Sequence, residues 1–187
     1  MNKNELRIHL KEVGANISTK KQKSASDNVC QQLMSIASVA HSGSIFVYLP
    51  LNDEINLLSL IRLWLDESRT VCVPLINWED NTMRGGLLTS LNENALVETK
   101  FGIKEPKERQ PLPSDCIDVI LAPGIGFDRQ GGRLGRGGGF YDRFIESARP
   151  PIVIGVCFDE QMVEVIPRDS HDQLMSAVVT PTKVYFE

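Results

Sequence analysis

Residues 118–148 read DVILAPGIGFDRQGGRLGRGGGFYDRFIESA: an apolar run, a glycine-rich stretch and an amphipathic segment in direct succession. Eight of the chain's 14 glycines fall within the 16 residues from Gly124 to Gly139. Glycine adopts positive φ and lets the backbone approach a ligand closely, while Phe140, Phe144 and Ile145 recur at helical spacing after it. The order predicted is therefore strand, glycine loop, helix. Backbone N–H groups at a helix N-terminus form an anion site, and Arg133 and Arg136 within the loop, with Arg143 in the first helical turns, supply positive charge beside it. The pattern suits a phosphate cradle. It is not a Walker motif, because no Gly-Lys-Ser/Thr closes it, and GRLGRG fits G-x-x-G-x-G rather than the dinucleotide G-x-G-x-x-G. A flexible turn with charged tips is the plainer alternative. An arginine-glycine RNA-binding tract is disfavoured, since such tracts are long and solvated and this one is short and bounded by apolar elements.

Outward from the loop, short apolar runs at 45–49, 57–65, 71–75, 119–121 and 152–156 read as buried strands, although Trp64 falls in an amphipathic helical pattern and is expected in the core. Apolar runs without alternation, joined by helix-length segments, predict an α/β fold: one domain over 1–187, its largely parallel sheet flanked by helices on both faces. Residues 77–110 are polar and weakly patterned, which suggests loops around a site. Trp78 either lines a pocket there or caps the sheet. At the N-terminal end Leu6, Ile8 and Leu10 suit a short helix, and Ser18-Thr19 can cap a second with Val29, Leu33, Ile36, Ala37 and Ala40 on one face. This end is also locally basic: Lys3, Arg7, Lys11, Lys20, Lys21 and Lys23 stand against Glu5 and Glu12.

A chain of 187 residues, 42% hydrophobic and 24% charged, buries a core without disulfides or a structural metal. Its net charge of −4 argues against a dedicated nucleic-acid or membrane-surface binder, so an anionic ligand must meet a local basic site. No run approaches the ~18–20 apolar residues of a membrane span, and MNKNELRIHLK lacks a secretory h-region, which makes a cytoplasmic location the expectation. Cys30, Cys72, Cys116 and Cys157 form no CxxC pair and are expected to be buried, reduced thiols.

APGIGFDRQGGRLGRGGGFYDRFI resembles the signature of the 5-formyltetrahydrofolate cyclo-ligase family, also called 5,10-methenyltetrahydrofolate synthetases. KNELR at Lys3–Arg7, YLPLNDEIN around Glu54, FGIKEP at 101–106, and Gln161, Ile166-Pro167 and His171-Asp172 are similar to further family elements in the same order. The resemblance implies an enzyme that uses ATP and Mg²⁺ to close 5-formyltetrahydrofolate into 5,10-methenyltetrahydrofolate, releasing ADP and phosphate. Transfer of the γ-phosphoryl to the formyl oxygen makes a leaving group, after which N10 attacks the activated carbon. Such chemistry asks for positioning and charge neutralisation rather than a covalent nucleophile.

Carried over residue by residue, the resemblance implies that Lys3, Arg7, Arg133, Leu134, Gly135, Arg136, Gly137, Gly138, Gly139, Phe140 and Tyr141 hold ATP. It implies that Leu49 and Glu54, with Arg136, Gly137, Gly138, Gly139 and Phe140, bind the folate, and that Arg136 and Tyr141 are catalytic. Asp142 and Asp172 would bind Mg²⁺ directly or through water, although Asp142 also suits a helix N-terminus electrostatically. Glu54 would accept hydrogen bonds from the pterin, or else is merely solvated; His171 is expected to be structural. The chain departs from the family pattern at Phe140, where a tyrosine is usual, at the region around Met83, and at Ser176. The expected partners are 5-formyltetrahydrofolate and ATP, with no nucleic acid and no membrane, and the protein is expected to be a monomer. The alternative is a catalytically impaired folate- or nucleotide-binding homologue of the same fold.

Overall fold

The structure is a computed structural model and describes residues 1–148 and 152–186. Helix α1, Lys3–Ala15, begins at Asn2, whose side chain accepts from the Asn4 and Glu5 N–H groups while the Glu5 carboxylate accepts from Asn2 N–H. This reciprocal cap fixes the entry of a helix whose Leu6 and Leu10 face inward. Ser18 caps α2, Thr19–Ser35. The second helix stops earlier than its apolar face suggests: Ile36 is extended at φ −83° and ψ 114°, and α3, Ala37–Ala40, is a separate turn. Then come β1 (Ser44–Phe46), α4 (Leu58–Asp66), β2 (Thr70–Asn77), β3 (Thr82–Leu87), β4 (Leu96–Glu98), β5 (Lys104–Pro106) and β6 (Pro111–Leu112). The remainder is β7 (Val119–Pro123), β8 (Gly126–Asp128), β9 (Arg133–Leu134), α5 (Phe140–Ala148), β10 (Ile152–Val156), β11 (Met162–Val163), β12 (Ala177–Val179) and β13 (Val184–Phe186).

Among the described residues, eight strands form one sheet in the order β13-β12-β10-β7-β1-β2-β3-β6. The five from β12 to β2 pair in parallel, and antiparallel strands close both edges. Strand periodicity splits the apolar runs between two faces. Ile45, Val71, Val73, Val119 and Leu121 pack under α2 and α4, whereas Phe46, Cys72, Ile120 and Ala122 pack under Phe144, Ile145 and Ala148 of α5. Each strand therefore reads as continuously apolar because both its faces are covered, as the sequence led us to expect.

The run 57–65 is not a strand. It forms α4, which buries Leu60, Ile61 and Trp64 on one face, and Trp64 is a fully enclosed core residue. Residues 77–110 are more regular than their polarity suggests. β2 and β3 form an antiparallel pair from Cys72↔Leu87 to Asn77↔Thr82, and of the two glycines in β3 the second has a packing reason. A Cβ on Gly86 would lie 2.3 Å from Leu75 Cγ, so only glycine lets the strands lie together there. Cys30, Cys72 and Cys157 are buried thiols, but Cys116 is exposed on the 3-10 turn Ser114–Cys116. No helix among the described residues is long and apolar enough to cross a membrane.

The strand order reverses beside β1. The chain leaves β1 for β2 on one side, whereas β7, β10 and β12 build outward on the other. In open parallel sheets ligands bind outside the carboxyl ends of strands at such a reversal. Here the loop after β1 carries Glu54, and the chain after β7 carries the glycine-rich stretch.

Candidate active site

The loop that follows β1 is held by its own side chains. Tyr48 donates its hydroxyl to the Ile55 carbonyl at 2.9 Å, and Leu51 N–H donates to Glu54 Oε2 at 3.0 Å. Leu49 lies half-buried at the strand exit. The Glu54 side chain is only 9% exposed, and burial pushes its carboxyl above the ordinary range despite opposing contributions from Leu51 N–H and the Arg136 guanidinium. Arg136 Nη2 reaches Glu54 Oε1 at 3.1 Å and Asp53 Oδ1 at 2.6 Å. One guanidinium thus ties the glycine loop to the loop after β1, bringing Glu54 and Arg136 to one place.

On the loop itself, Gly137 and Gly139 have φ of +105° and +66°, conformations that L side chains rarely adopt. Helix α1 docks there: Arg7 Nε donates to the Gly135 carbonyl at 2.9 Å. Arg143 Nη2 donates to the carbonyls of Asn81 at 2.6 Å and Gly138 at 2.9 Å, with its guanidinium against the Phe140 ring. The Leu134 side chain is buried against Leu6, Leu10 and Ile125, so only its main chain is available to a ligand. Trp78 packs edge-on against both Phe140 and Phe101, at 5.5 and 5.4 Å between ring centroids, which sets it at the rim of the loop.

Arg133 is nearly buried and donates from Nη2 to Asp142 Oδ2 at 2.8 Å and from Nη1 to the Pro123 carbonyl at 3.3 Å. Its guanidinium lies 5.4 Å from the Tyr141 ring centroid. Two buried polar atoms in this pair, Arg133 Nε and Tyr141 Oη, have no protein partner. Burial pushes the Tyr141 hydroxyl pKa up, Glu54 adds to the rise and Arg133 opposes it, so the group stays a neutral donor. Orphaned donors beside positive-φ glycines and several cations suit a polyanionic ligand, and they fit the nucleotide that the resemblance implies.

The two candidate metal ligands lie on neighbouring backbone. Asp142 Oδ1 accepts from Gln173 N–H at 3.3 Å, which places the start of α5 against the residue after Asp172. Asp172 Oδ2 accepts from Lys3 Nζ at 2.5 Å and from Asp169 N–H at 2.6 Å, and Lys3 also reaches Asp169 Oδ2 at 2.6 Å. Burial alone would raise the Asp172 carboxyl; Lys3 and the Asp169 N–H outweigh it and hold the group low. Asp169, His171 and Asp172 each offer a ligand atom, all within 4.8 Å of one another. Carboxylate oxygens completed by water and phosphate oxygens are what Mg²⁺ takes, so the donor chemistry fits that ion, with Asp142 already engaged by Arg133.

Sequence reasoning missed Asp53 and Asp169, which share the cations Arg136 and Lys3 with Glu54 and Asp172. The available signal was adjacency: Asp53 directly precedes Glu54, and Asp169 stands three residues before Asp172.

The sequence profile of the 5-formyltetrahydrofolate cyclo-ligase family matches residues 1–181. The chain belongs to this family. Among its curated relatives, 5-formyltetrahydrofolate cyclo-ligase of Mus musculus is 29% identical over 187 residues, covering 95% of this chain and 92% of the relative. The protein of that name from Escherichia coli strain K12 is 30% identical over 179 residues, covering 90% and 94%. Among solved structures, 5,10-methenyltetrahydrofolate synthetase of Aquifex aeolicus superposes with a TM-score of 0.86 at 30% identity, covering 100% of this chain and 93% of that one. The signature runs from β7 to α5, but the stretch between is not one glycine loop as its composition suggests: β8 and β9 interrupt it and form a small sheet with β11, leaving residues 135–139 as the loop before α5.

Proposed function

We propose that the protein is a 5-formyltetrahydrofolate cyclo-ligase that closes 5-formyltetrahydrofolate to 5,10-methenyltetrahydrofolate, consuming ATP and releasing ADP and phosphate. The observation that carries the reading is Arg136, whose guanidinium joins the glycine loop after β7 to the buried carboxylate after β1, across the point where strand order reverses. Glu54 offers two oxygens side by side to the N–H groups of the pterin, and Leu49 offers an apolar contact at the strand exit. The backbone of residues 135–139 with Lys3, Arg7 and Arg133 receives the phosphates. Arg136, on the seam between the two ligands, meets the negative charge that develops as the formyl oxygen accepts the γ-phosphoryl. The buried Tyr141 hydroxyl donates a hydrogen bond into the same space. N10 then attacks the activated carbon, and phosphate departs.

Asp142 and Asp172 hold Mg²⁺ in this reading, and the ion supplies charge neutralisation to the phosphates. The protein works in the cytoplasm as a monomer. An ADP-release assay with and without 5-formyltetrahydrofolate tests the proposal: ADP formation that depends on the folate is the expected result. Folate binding without ADP release would make the chain a binding homologue instead.

A further inference from the structure

Asp128 ends β8 with a side chain that is completely buried, although it is not among the residues expected to touch either ligand. Four donors converge on its carboxylate. Oδ1 accepts from Gln130 N–H at 2.9 Å and Gly132 N–H at 2.7 Å, Oδ2 accepts from Ile166 N–H at 2.8 Å, and Arg168 Nη2 lies 3.3 Å from both oxygens. The carboxylate thereby joins two stretches of chain nearly forty residues apart. One is the tight turn that delivers Arg133; the other is the segment that continues from Ile166 into Asp169 and Asp172, the partners of Lys3.

The surrounding chain is shaped to this joint. A Cβ on Gly132 would lie 2.4 Å from Asp128 Oδ2, and one on Gly131 would lie 2.4 Å from the Met175 carbonyl oxygen. Gly131 O accepts from Met175 N–H at 2.9 Å, and Arg168 Nη2 lies 3.4 Å from the Gln130 carbonyl, so the two stretches are stitched on both sides of the carboxylate. Burial alone would raise the Asp128 carboxyl, but the three backbone N–H groups and Arg168 hold it below the ordinary range, so it stays an anion that only accepts.

We propose that Asp128 is a positioning residue that locks the glycine-loop entry and the Asp169–Asp172 segment into one unit, setting Arg133 and the acidic cluster in register for the nucleotide and its metal. The proposal rests on the functional reading above for what the unit receives, but the unit itself is testable without turnover. Asparagine at 128 must turn an NH₂ towards N–H donors, because it cannot accept on both sides as the carboxylate does.

The experiment follows Asp128→Asn and Arg168→Met in the full chain by amide hydrogen exchange and by calorimetric titration with ATP and Mg²⁺. In Asp128→Asn, exchange should speed up in residues 130–139 and 166–173 together while β7 keeps its protection. ATP affinity should fall about tenfold with little change in the folate KM. Arg168→Met, which removes only the guanidinium contacts, should show both effects in weaker form and carries the test if the first variant does not fold. Faster exchange confined to residues 130–132, or a fall in thermal midpoint with unchanged ATP affinity, would overturn the proposal. If the unaltered protein takes up no ATP, the functional reading fails, and the exchange result still decides whether Asp128 joins the two segments.

Discussion

Replacing Glu54 by glutamine separates two quantities that usually fall together in a damaged site. The carboxylate is almost fully buried, and burial has already raised its pKa, so the folded protein holds this proton more tightly than the unfolded chain does. For such a group stability declines as pH rises from the unfolded value, about 4.3, through the folded one, and the ionised form is carried at a cost at neutral pH. Glutamine removes that cost, keeps an oxygen for Leu51 N–H, and leaves Arg136 its contact with Asp53 at 2.6 Å. The thermal midpoint of Glu54→Gln at pH 7 should therefore equal or exceed that of the parent. Folate recognition moves the other way. An amide cannot accept two adjacent N–H groups, and a hydrogen bond to a charged partner is worth about 1.5–3 kcal/mol, or roughly ten- to a hundredfold in folate KM. The parent should also lose folate affinity as pH falls through the Glu54 titration, whereas the variant should show a flat profile there. Steady-state folate KM measured upward from the ordinary carboxylate pKa, about 4.3, to neutral pH, beside thermal melts of both proteins, checks both halves. A variant with the parent's folate KM and the parent's pH profile refutes the assignment of Glu54, and a variant that melts well below the parent refutes the energetic argument.

Further outcomes are expected. Asp142→Asn and Asp172→Asn should each raise the Mg²⁺ concentration for half-maximal rate, and the double variant should lose less than the product of the single losses, as expected of groups serving one site; a Mg²⁺ titration of initial rates reads this directly. Tyr141→Phe removes a buried hydroxyl that has no partner in the protein, so urea unfolding should show equal or greater stability while kcat falls about tenfold. Asp128 and Asp172 both titrate below the usual carboxylate range, so the stability they lend is present above the unfolded value, about 3.9, and is lost as pH falls through their folded values. Acid unfolding followed by circular dichroism should accordingly be shallower in Asp172→Asn than in the parent.

The glycine loop and its flanking strand and helix were legible because composition there is extreme and local: the glycines, the apolar β7 and the amphipathic α5 are contiguous. The parallel sheet was legible because strands covered on both faces must be apolar throughout. The run at 57–65 misled for the same reason, since a short apolar segment has too few polar residues to show whether its period is helical or extended, and only Leu60, Ile61 and Trp64 facing one core settle it. β3 was hidden by Gly85 and Gly86, residues that weaken any strand reading, although the closeness of Leu75 requires the second of them. Cys116 was misjudged because the apolar β7 that follows outweighed its polar neighbours Ser114, Asp115 and Asp118, which mark the exposed turn it ends. The ion pairs of Arg136 with Asp53 and of Lys3 with Asp169 join residues 83 and 166 positions apart, and no local pattern records such a meeting.

The contacts of Lys3 bear on when the site comes into being during synthesis. Its two carboxylate partners follow it by 166 and 169 positions, and β1 lies beside β7 even though α4 and β2 to β6 intervene between them in the chain. A nascent chain on the ribosome that has released α1, α2 and β1 therefore holds Lys3 and Glu54 with nothing yet to face them. Non-local pairings of this kind are slow to form, because the entropy of closing the loop is lost before the contact repays it. The acidic cluster reaches Lys3 only after residue 172 has emerged, so nucleotide affinity should arise abruptly at that point rather than grow with the chain.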